Sequence, residues 1–230
     1  MSNPVSRLLI VGALVLAAIW AGFRVYLASH PENGEPVPAG SASPPNLSDL
    51  SAQSLSTPTP KIPEHLPAFE LDNLSGTKTS STQWQGKALV LNFWATWCGP
   101  CRQEIPLLES LSGEWAAHGV TLVGIAVDYP DKVQQFAKQY KIGYPLLVGE
   151  QPALDLAAKL GMETPVFPFT VFADGHGDVI TLFVGELHRS QATLIMGLVE
   201  QVDAGKLAVN EARQRIAEGL SALRGHSGEG

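Results

Sequence analysis

Two cysteines, Cys98 and Cys101, have the clearest capacity for chemistry in this chain of 230 residues, which contains no other cysteine. One pair alone cannot make the disulfide framework that holds small secreted folds together. The pair lies in the segment Trp97-Cys98-Gly99-Pro100-Cys101, directly after an apolar run and at the start of a helical pattern. This spacing at a strand-to-helix junction predicts reversible thiol–disulfide exchange.

The two sulfurs are expected to play different roles because they occupy different positions on the predicted helix. Cys98 falls at the helix start, where unpaired N–H groups and the helix dipole stabilise a thiolate, so it is the predicted exposed nucleophile. Cys101 lies one turn later on the same face and is the predicted resolving thiol. Gly99 and Pro100 stiffen the turn, and proline is tolerated there because a first-turn N–H needs no helical partner.

Other uses of a cysteine pair do not fit the sequence. A zinc site needs four ligands, and no second CxxC or CxxH is present. Attachment of c-type haem needs a histidine after the second cysteine, where this chain has Arg102. We therefore expect neither a metal nor a cofactor. The net charge of −7 and the lack of a Lys/Arg block argue against nucleic acid as a partner.

The elements that must hold the pair alternate between strand and helix. Residues 88–94 form an apolar run that predicts a central strand covered on both faces, and residues 99–117 carry a helical apolar stripe. The remaining patterns predict a hairpin of residues 69–72 and 77–79, strands at 120–127, 146–148, 169–173 and 179–184, and helices at 130–140, 152–160 and from a Ser190 cap to 202. This order predicts an α/β domain with a mixed central sheet flanked by helices.

Composition divides the chain into four parts. Residues 1–28 contain the uncharged run LLIVGALVLAAIWAGF, which predicts a membrane anchor, with a cleaved signal segment as the alternative. Residues 29–63 are rich in Pro, Gly and Ser and predict a flexible linker. Residues 64–203 are the predicted folded domain, and residues 204–230 are expected to add one helix and a frayed tail.

The segment LVLNFWATWCGPCRQEIP, residues 89–106, resembles the membrane-anchored thioredoxin-like reductases of bacteria, the TlpA/ResA/CcmG group. Flanking segments such as Gly124-Ile-Ala-Val-Asp128 and Pro168-Phe-Thr-Val-Phe172 match this group as well. The resemblance implies a thioredoxin fold over residues 64–203, with the hairpin as an N-terminal extension. It also implies that the protein reduces disulfides of client proteins, often in cytochrome c maturation.

A location and an electron source follow from the same resemblance. It implies a single-pass anchor in the bacterial inner membrane, with the folded domain in the periplasm or extracytoplasmic space. Reduction in an oxidising compartment needs electrons from elsewhere, and the implied donor is a transmembrane thiol reductase.

The resemblance further implies a surface that contacts the client. Pro168 would be a cis proline facing the cysteine pair, although an ordinary strand-start proline is the alternative and Pro165 is a weaker candidate for the cis position. Phe167 would then touch the client, together with the motif residues Trp97, Gly99 and Pro100. Trp97 is expected to be partly exposed, whereas Trp94 is expected in the core.

Two polar residues near the motif are candidates for proton handling. Glu104 follows Cys101 by three residues, where this group often has an acid, and a nearby carboxylate could exchange protons with the thiols and raise their pKa values. A solvated helix charge is the alternative. Ordinary thioredoxins carry a buried Asp at the position of Asn92, and because Asn cannot ionise, proton handling would shift to Glu104, water or another carboxylate.

The function predicted from the sequence is that of an extracytoplasmic thiol–disulfide oxidoreductase that works by mixed-disulfide exchange. The alternative is a non-catalytic module that senses redox state or docks a client. A peroxiredoxin shares the fold, but it needs a longer spacing between threonine and cysteine than Thr96 and Cys98 provide, and it needs an activating arginine.

Overall fold

The computed structural model of the protein describes Trp20, Arg24, Tyr26 and residues 62–226. Trp20, Arg24 and Tyr26 are helical and exposed. The Arg24 guanidinium lies 4.9 Å from the centre of the Trp20 ring. The rest of the predicted anchor and nearly all of the predicted linker lie outside the described residues. No helix built from the described residues is long and apolar enough to cross a membrane.

Seven strands form one sheet in residues 62–226, in the order β2-β1-β5-β4-β3-β6-β7. The neighbours β3–β4 and β4–β5 are parallel and the others are antiparallel, which confirms the predicted mixed sheet. The strands are β1 (Glu70–Asn73), β2 (Lys78–Ser80), β3 (Ala88–Trp94), β4 (Val120–Ala126), β5 (Leu146–Val148), β6 (Phe169–Ala173) and β7 (Val179–Val184).

Helices cover both faces of this sheet. On one face of the sheet, an apolar cluster joins strand residues to the inner faces of four helices. On the other face, a second apolar cluster joins strand residues to the remaining helix and to a short 3-10 helix, Ser81–Trp84. The helices are α1 (Gly99–Ala116), α2 (Pro130–Tyr140), α3 (Glu150–Lys159), α4 (Arg189–Asp203) and α5 (Val209–His226), and the cluster with four helices contains α1, α2, α4 and α5.

Two helix starts differ from the predicted ones. The predicted Ser190 cap is wrong, because His188 takes the extended cap conformation and its N–H donates to the Gln191 side chain at 2.9 Å. Helix α3 begins at Glu150 rather than at Pro152, since a proline is also tolerated later in the first turn, where its N–H would have no helical partner.

The C-terminal helix α5 lies against α4 and beside the outer strand β7. Arg213 of α5 donates a 2.6 Å hydrogen bond to the backbone carbonyl of Val179, at the start of β7. The chain before β1 also pairs with this end of the sheet, because the N–H of Leu66 donates to the carbonyl of Gly177 and the N–H of Val179 donates to that of Glu64.

Strand β3 lies near the middle of the sheet and delivers the chain directly to α1. Every residue of β3 is buried, including Asn92. In the sheet register Asn92 stands between Gly124 of β4 and Thr170 of β6. A Cβ added at Gly124 would lie 2.6 Å from the end of the Leu146 side chain, so glycine lets the neighbouring side chains pack closely here. The cysteine pair therefore sits at the carboxyl end of a rigid central strand.

Candidate active site

Cys98 and Cys101 form a disulfide at the start of α1, with their Cα atoms 5.3 Å apart. Cys98 is the N-cap residue, with an extended backbone, and its Sγ accepts a hydrogen bond from the Cys101 N–H at 3.2 Å. Cys98 is 5 % exposed and Cys101 is fully buried. Both sulfurs are more buried than the helix-start position suggested, but the order of exposure between them is the predicted one.

An aromatic surface adjoins the disulfide. Trp97 is 67 % exposed and its ring meets that of the half-buried Phe167 edge-on, with the ring centres 6.0 Å apart. The peptide bond between Phe167 and Pro168 is cis, as expected for Pro168 rather than Pro165. Trp94, in contrast, is fully buried, as expected. An exposed aromatic ring, that of Trp97, therefore directly precedes Cys98 in the chain.

Glu104 lies one helical turn after Cys101 on α1 and is buried, with only 1 % of its surface exposed. Its Oε1 accepts a hydrogen bond from Asn92 Nδ2 at 2.7 Å, and its Oε2 accepts one from the Leu187 N–H at 2.9 Å. Burial raises the pKa of Glu104 to about 7, opposed by the two hydrogen bonds and assisted by the nearby charge of Glu186. The alternative of a solvated helix charge is wrong.

Two hydrogen bonds in the polar cluster around this carboxyl group were not found from the sequence. Thr170 accepts a second hydrogen bond from Asn92 Nδ2 at 3.0 Å, and the backbone of Leu187 reaches Glu104 from the connection between β7 and α4. Neither contact has a sequence signal, because both depend on which strands become neighbours. The segment Pro168-Phe-Thr-Val-Phe172 nevertheless places Thr170 two residues after the cis proline.

A second buried carboxylate fixes the turn before Cys98. Asp128 is 3 % exposed, and one of its oxygens accepts hydrogen bonds from the Thr96 backbone N–H at 3.2 Å and the Thr96 hydroxyl at 2.5 Å. Its other oxygen accepts from the Tyr129 N–H at 2.8 Å. From the sequence, Asp128 was named only as the last residue of a segment that matches the TlpA/ResA/CcmG group, and no role was predicted for it. This contact holds the residues that lead from β3 into the cysteine pair.

The side chains described around Cys98 and Cys101 do not form a metal site. Within the part of the chain that the structure describes, no group of three or more His, Cys, Asp or Glu side chains could hold a metal ion. The chemistry available at this site is therefore that of two sulfurs, one buried carboxyl group and an exposed aromatic surface.

Comparison with known proteins points to the same chemistry. The profile of the AhpC/TSA family matches residues 62–192. The chain is 32 % identical over 134 residues to the thioredoxin-like protein YneN of Bacillus subtilis, covering 56 % of this chain and 74 % of that protein. It is 28 % identical over 133 residues to the thiol-disulfide oxidoreductase ResA of Halalkalibacterium halodurans, covering 57 % and 73 %.

Solved structures are similar as well. A putative protein disulfide isomerase from Bacteroides thetaiotaomicron is 30 % identical with a TM-score of 0.51, and the match covers 62 % of this chain and 88 % of that one. A secreted thiol-disulfide isomerase from Corynebacterium glutamicum is 26 % identical with a TM-score of 0.51, covering 66 % and 85 %. The predicted thioredoxin fold is confirmed.

The raised pKa of Glu104 predicts a specific pH dependence of stability. The folded protein holds this proton up to about pH 7, whereas a model Glu releases it near 4.5, so the folded state binds more protons between these values. The stabilisation by this proton is complete below pH 4.5 and is lost as the pH rises through about 7. The total loss in the free energy of unfolding is about 3 kcal/mol. In the oxidised protein, Glu104→Gln should remove this loss from the free energy of unfolding measured between pH 4 and pH 8.

Glu114→Gln is the matched control, because Glu114 lies on the same helix with about half of its side chain exposed. It should leave the pH dependence of unfolding as it is in the unmodified protein. Equal slopes for the unmodified protein and Glu104→Gln would contradict a raised pKa of Glu104 in the folded protein.

Proposed function

The chain belongs to the AhpC/TSA family and is a thiol–disulfide oxidoreductase, and we propose that it reduces disulfides of client proteins through Cys98 and Cys101. The observation that carries this proposal is the position of the disulfide. The more exposed sulfur caps α1 beside an exposed aromatic surface, and the other sulfur is fully buried. A client can therefore reach only Cys98.

In the proposed cycle the reduced pair donates two electrons to the client. The Cys98 thiolate attacks one client sulfur, which breaks the client disulfide and releases the other client sulfur as a thiolate. The Cys101 thiol then loses its proton and attacks Cys98 Sγ, which breaks the mixed disulfide and frees the second client sulfur. The products are a reduced client and the Cys98–Cys101 disulfide, which a dithiol donor must reduce before the next turnover.

The client-facing surface is proposed to consist of the exposed motif residues and the cis-proline segment. Trp97, Gly99 and Pro100 are exposed around Cys98, the half-buried Phe167 packs against Trp97, and the buried Pro168 follows Phe167 in the chain. An exposed tryptophan packed edge-on against a phenylalanine presents rigid apolar surface at little cost in side-chain entropy. Such a surface suits a client that offers apolar residues next to its disulfide.

The roles of the two sulfurs can be separated by trapping. Cys101→Ser should accumulate mixed disulfides between Cys98 and clients in cells, because no thiol remains to resolve them, whereas Cys98→Ser should accumulate none. In the reduced unmodified protein, a small alkylating agent followed by mass spectrometry should label Cys98 before Cys101. Faster labelling of Cys101 would reverse the assignment.

Glu104 is proposed to exchange the proton of the resolving thiol. It lies one helical turn after Cys101, is buried, and has a pKa raised to about 7, so it can both take and return a proton near neutral pH. Its negative charge disfavours nearby thiolates, which raises the pKa of the thiols. Asn92, which occupies the position of the thioredoxin acid, instead donates a hydrogen bond to Glu104.

Glu104→Gln should lower the pKa of at least one thiol and slow client reduction by up to about 10²-fold, because it removes both the charge and the proton carrier. The pH dependence of alkylation and of insulin reduction measures the two effects separately, with Glu114→Gln as the control. Superimposable profiles for Glu104→Gln and the unmodified protein would assign proton transfer to water or another acid.

Two other activities are less well supported. A docking or redox-sensing module would bind clients without turnover, so catalytic insulin reduction with dithiothreitol would exclude it. Peroxide reduction is disfavoured because the Thr96 hydroxyl already donates to Asp128 at 2.5 Å and is not directed to Cys98.

We propose that the domain works outside the cytoplasm, held by residues 1–28 in the bacterial inner membrane through the linker 29–63. A transmembrane thiol reductase would supply its electrons, and cytochrome c maturation is the proposed pathway, as the TlpA/ResA/CcmG resemblance implies. Support for the anchor comes from the uncharged run of 16 residues from Leu8 to Phe23.

Carbonate washing tests the anchor. The full chain should remain in the membrane fraction, because an uncharged apolar run partitions into the bilayer, whereas a chain beginning near Pro60 should be released and should still reduce insulin. A mature soluble form that begins after Ala28 would identify residues 1–28 as a cleaved signal instead.

A further inference from the structure

The Asn92 side chain makes all of its hydrogen bonds through one of its two ends. Nδ2 donates to Glu104 Oε1 at 2.7 Å and to Thr170 Oγ1 at 3.0 Å. The three side chains are almost completely buried, at 0 %, 1 % and 0 % exposure for Asn92, Glu104 and Thr170. Asn92 Oδ1 is also buried and has no partner among the described residues. A buried acceptor without a donor costs about 1–3 kcal/mol, so this arrangement calls for an explanation.

The two partners of Asn92 differ in what they can offer. The Thr170 hydroxyl can donate or accept by rotation, so it can serve either end of the amide. When it is ionised, Glu104 can only accept hydrogen bonds, and when it is protonated it has an O–H donor as well as its remaining acceptor capacity. The proton on Glu104 therefore decides which end of the amide should face these two groups. Either orientation leaves one end of the amide unpaired, so a half-turn adds no new unpaired group.

We propose that the Asn92 carboxamide turns by half a revolution when Glu104 gains a proton. With Glu104 ionised, Nδ2 donates to Glu104 and Thr170, as the structure has it. With Glu104 protonated, its O–H and the Thr170 hydroxyl both donate to Asn92 Oδ1, while the Leu187 N–H still donates to the other Glu104 oxygen. No covalent bond changes apart from the proton that Glu104 gains.

Asn92 and Thr170 are then positioning residues for the proton that Glu104 carries. This inference rests on the proposed role of Glu104 as a proton carrier. A fixed donor would favour only the ionised carboxylate, whereas a rotating amide provides a hydrogen bond to both forms. Glu104 can thus be charged and discharged within one cycle without leaving either form unpaired.

Other ionisable groups face Glu104 from neighbouring elements. Glu186 lies in the connection between β7 and α4, Tyr144 lies just before β5, and Cys101 lies one turn earlier on α1. The charge of Glu186 helps to raise the pKa of Glu104, and burial together with the charge of Glu104 raises the pKa of Tyr144. These groups change the pH at which Glu104 binds its proton, but the orientation of Asn92 should still follow that proton.

Nuclear magnetic resonance of the full, oxidised chain tests the rotation directly, because the disulfide prevents the thiols from titrating. With Asn and Glu side chains isotopically labelled, the Asn92 Nδ2 protons should show contacts to Thr170 above the Glu104 midpoint and lose them below it. The Asn92 and Glu104 signals should change with one common midpoint. Asn92 contacts that stay constant while Glu104 titrates would overturn the proposal.

Two variants show which group drives the change. Glu186→Gln should lower the Glu104 midpoint, and the Asn92 transition should move with it. In Glu104→Gln the Asn92 signals should no longer depend on pH. A persistent Asn92 transition in Glu104→Gln would assign it to another group and would overturn the proposal.

The positioning role has its own measurement. Asn92→Leu removes the hydrogen bond to Glu104 in both protonation states, but the bond to the ionised form is charge-assisted and stronger. Its loss therefore disfavours the ionised form, and the Glu104 midpoint should rise by up to about one pH unit. Thr170→Ser keeps the hydroxyl and should leave the midpoint and the rotation unchanged. An unchanged or lowered midpoint in folded Asn92→Leu would contradict the positioning role.

None of these measurements requires a client. Failure of the reductase proposal would appear as lost trapping or lost insulin reduction, with the resonance data unaffected. Failure of the rotation would appear in the resonance data alone. If Asn92→Leu does not fold, the titration of the unmodified chain still decides the rotation.

Discussion

The carboxyl group of Glu104 is almost entirely removed from water, and the geometry around the disulfide depends on how it is held. One oxygen is bound by a side chain of β3 and the other by the backbone ahead of α4, while the residue itself belongs to α1. Removing either donor would leave a buried acceptor unpaired, at a cost comparable to a large part of a domain's net stability. The same two hydrogen bonds therefore tie α1 to the central strand and to the connection before α4, and they oppose the rise in the pKa of Glu104 that burial causes.

This arrangement limits what the central strand can contain. All seven residues of β3 are buried, and a polar side chain within such a strand needs partners from its neighbours. Asn92 finds them in Thr170 on the adjacent strand and Glu104 on the helix above. Gly124, its neighbour on the other side, leaves space that Leu146, Tyr144 and the Trp94 indole fill. The polar site is thus enclosed by apolar packing, which explains why burial dominates its electrostatics.

Much of the fold and the position of the cysteine pair could be predicted from the sequence, because those features have local signals. Apolar runs bounded by turn residues located β3, β4, β6 and β7, and the CxxC spacing located the disulfide. The cap of α4 was predicted incorrectly, since Ser190 is a good cap by residue type but His188 has the required backbone conformation. The hydrogen bonds of Glu104 to Leu187 and of Asn92 to Thr170 join residues far apart in the chain. They depend on the strand order and on the depth of burial, which no local pattern encodes.

The outer strand β7 has a consequence for how this protein behaves in a crowded compartment. A free sheet edge offers unpaired N–H and C=O groups to extended segments of other molecules, which is a common route to aggregation. Here the first part of that edge is occupied by the chain around Glu64 and Leu66, and the Val179 carbonyl is bound by Arg213 from α5. At the opposite edge, β2 is only three residues long and carries the charged Lys78. Both edges of the sheet are thus less open to strand pairing with other molecules, while the disulfide end of α1 keeps an exposed aromatic side chain beside it.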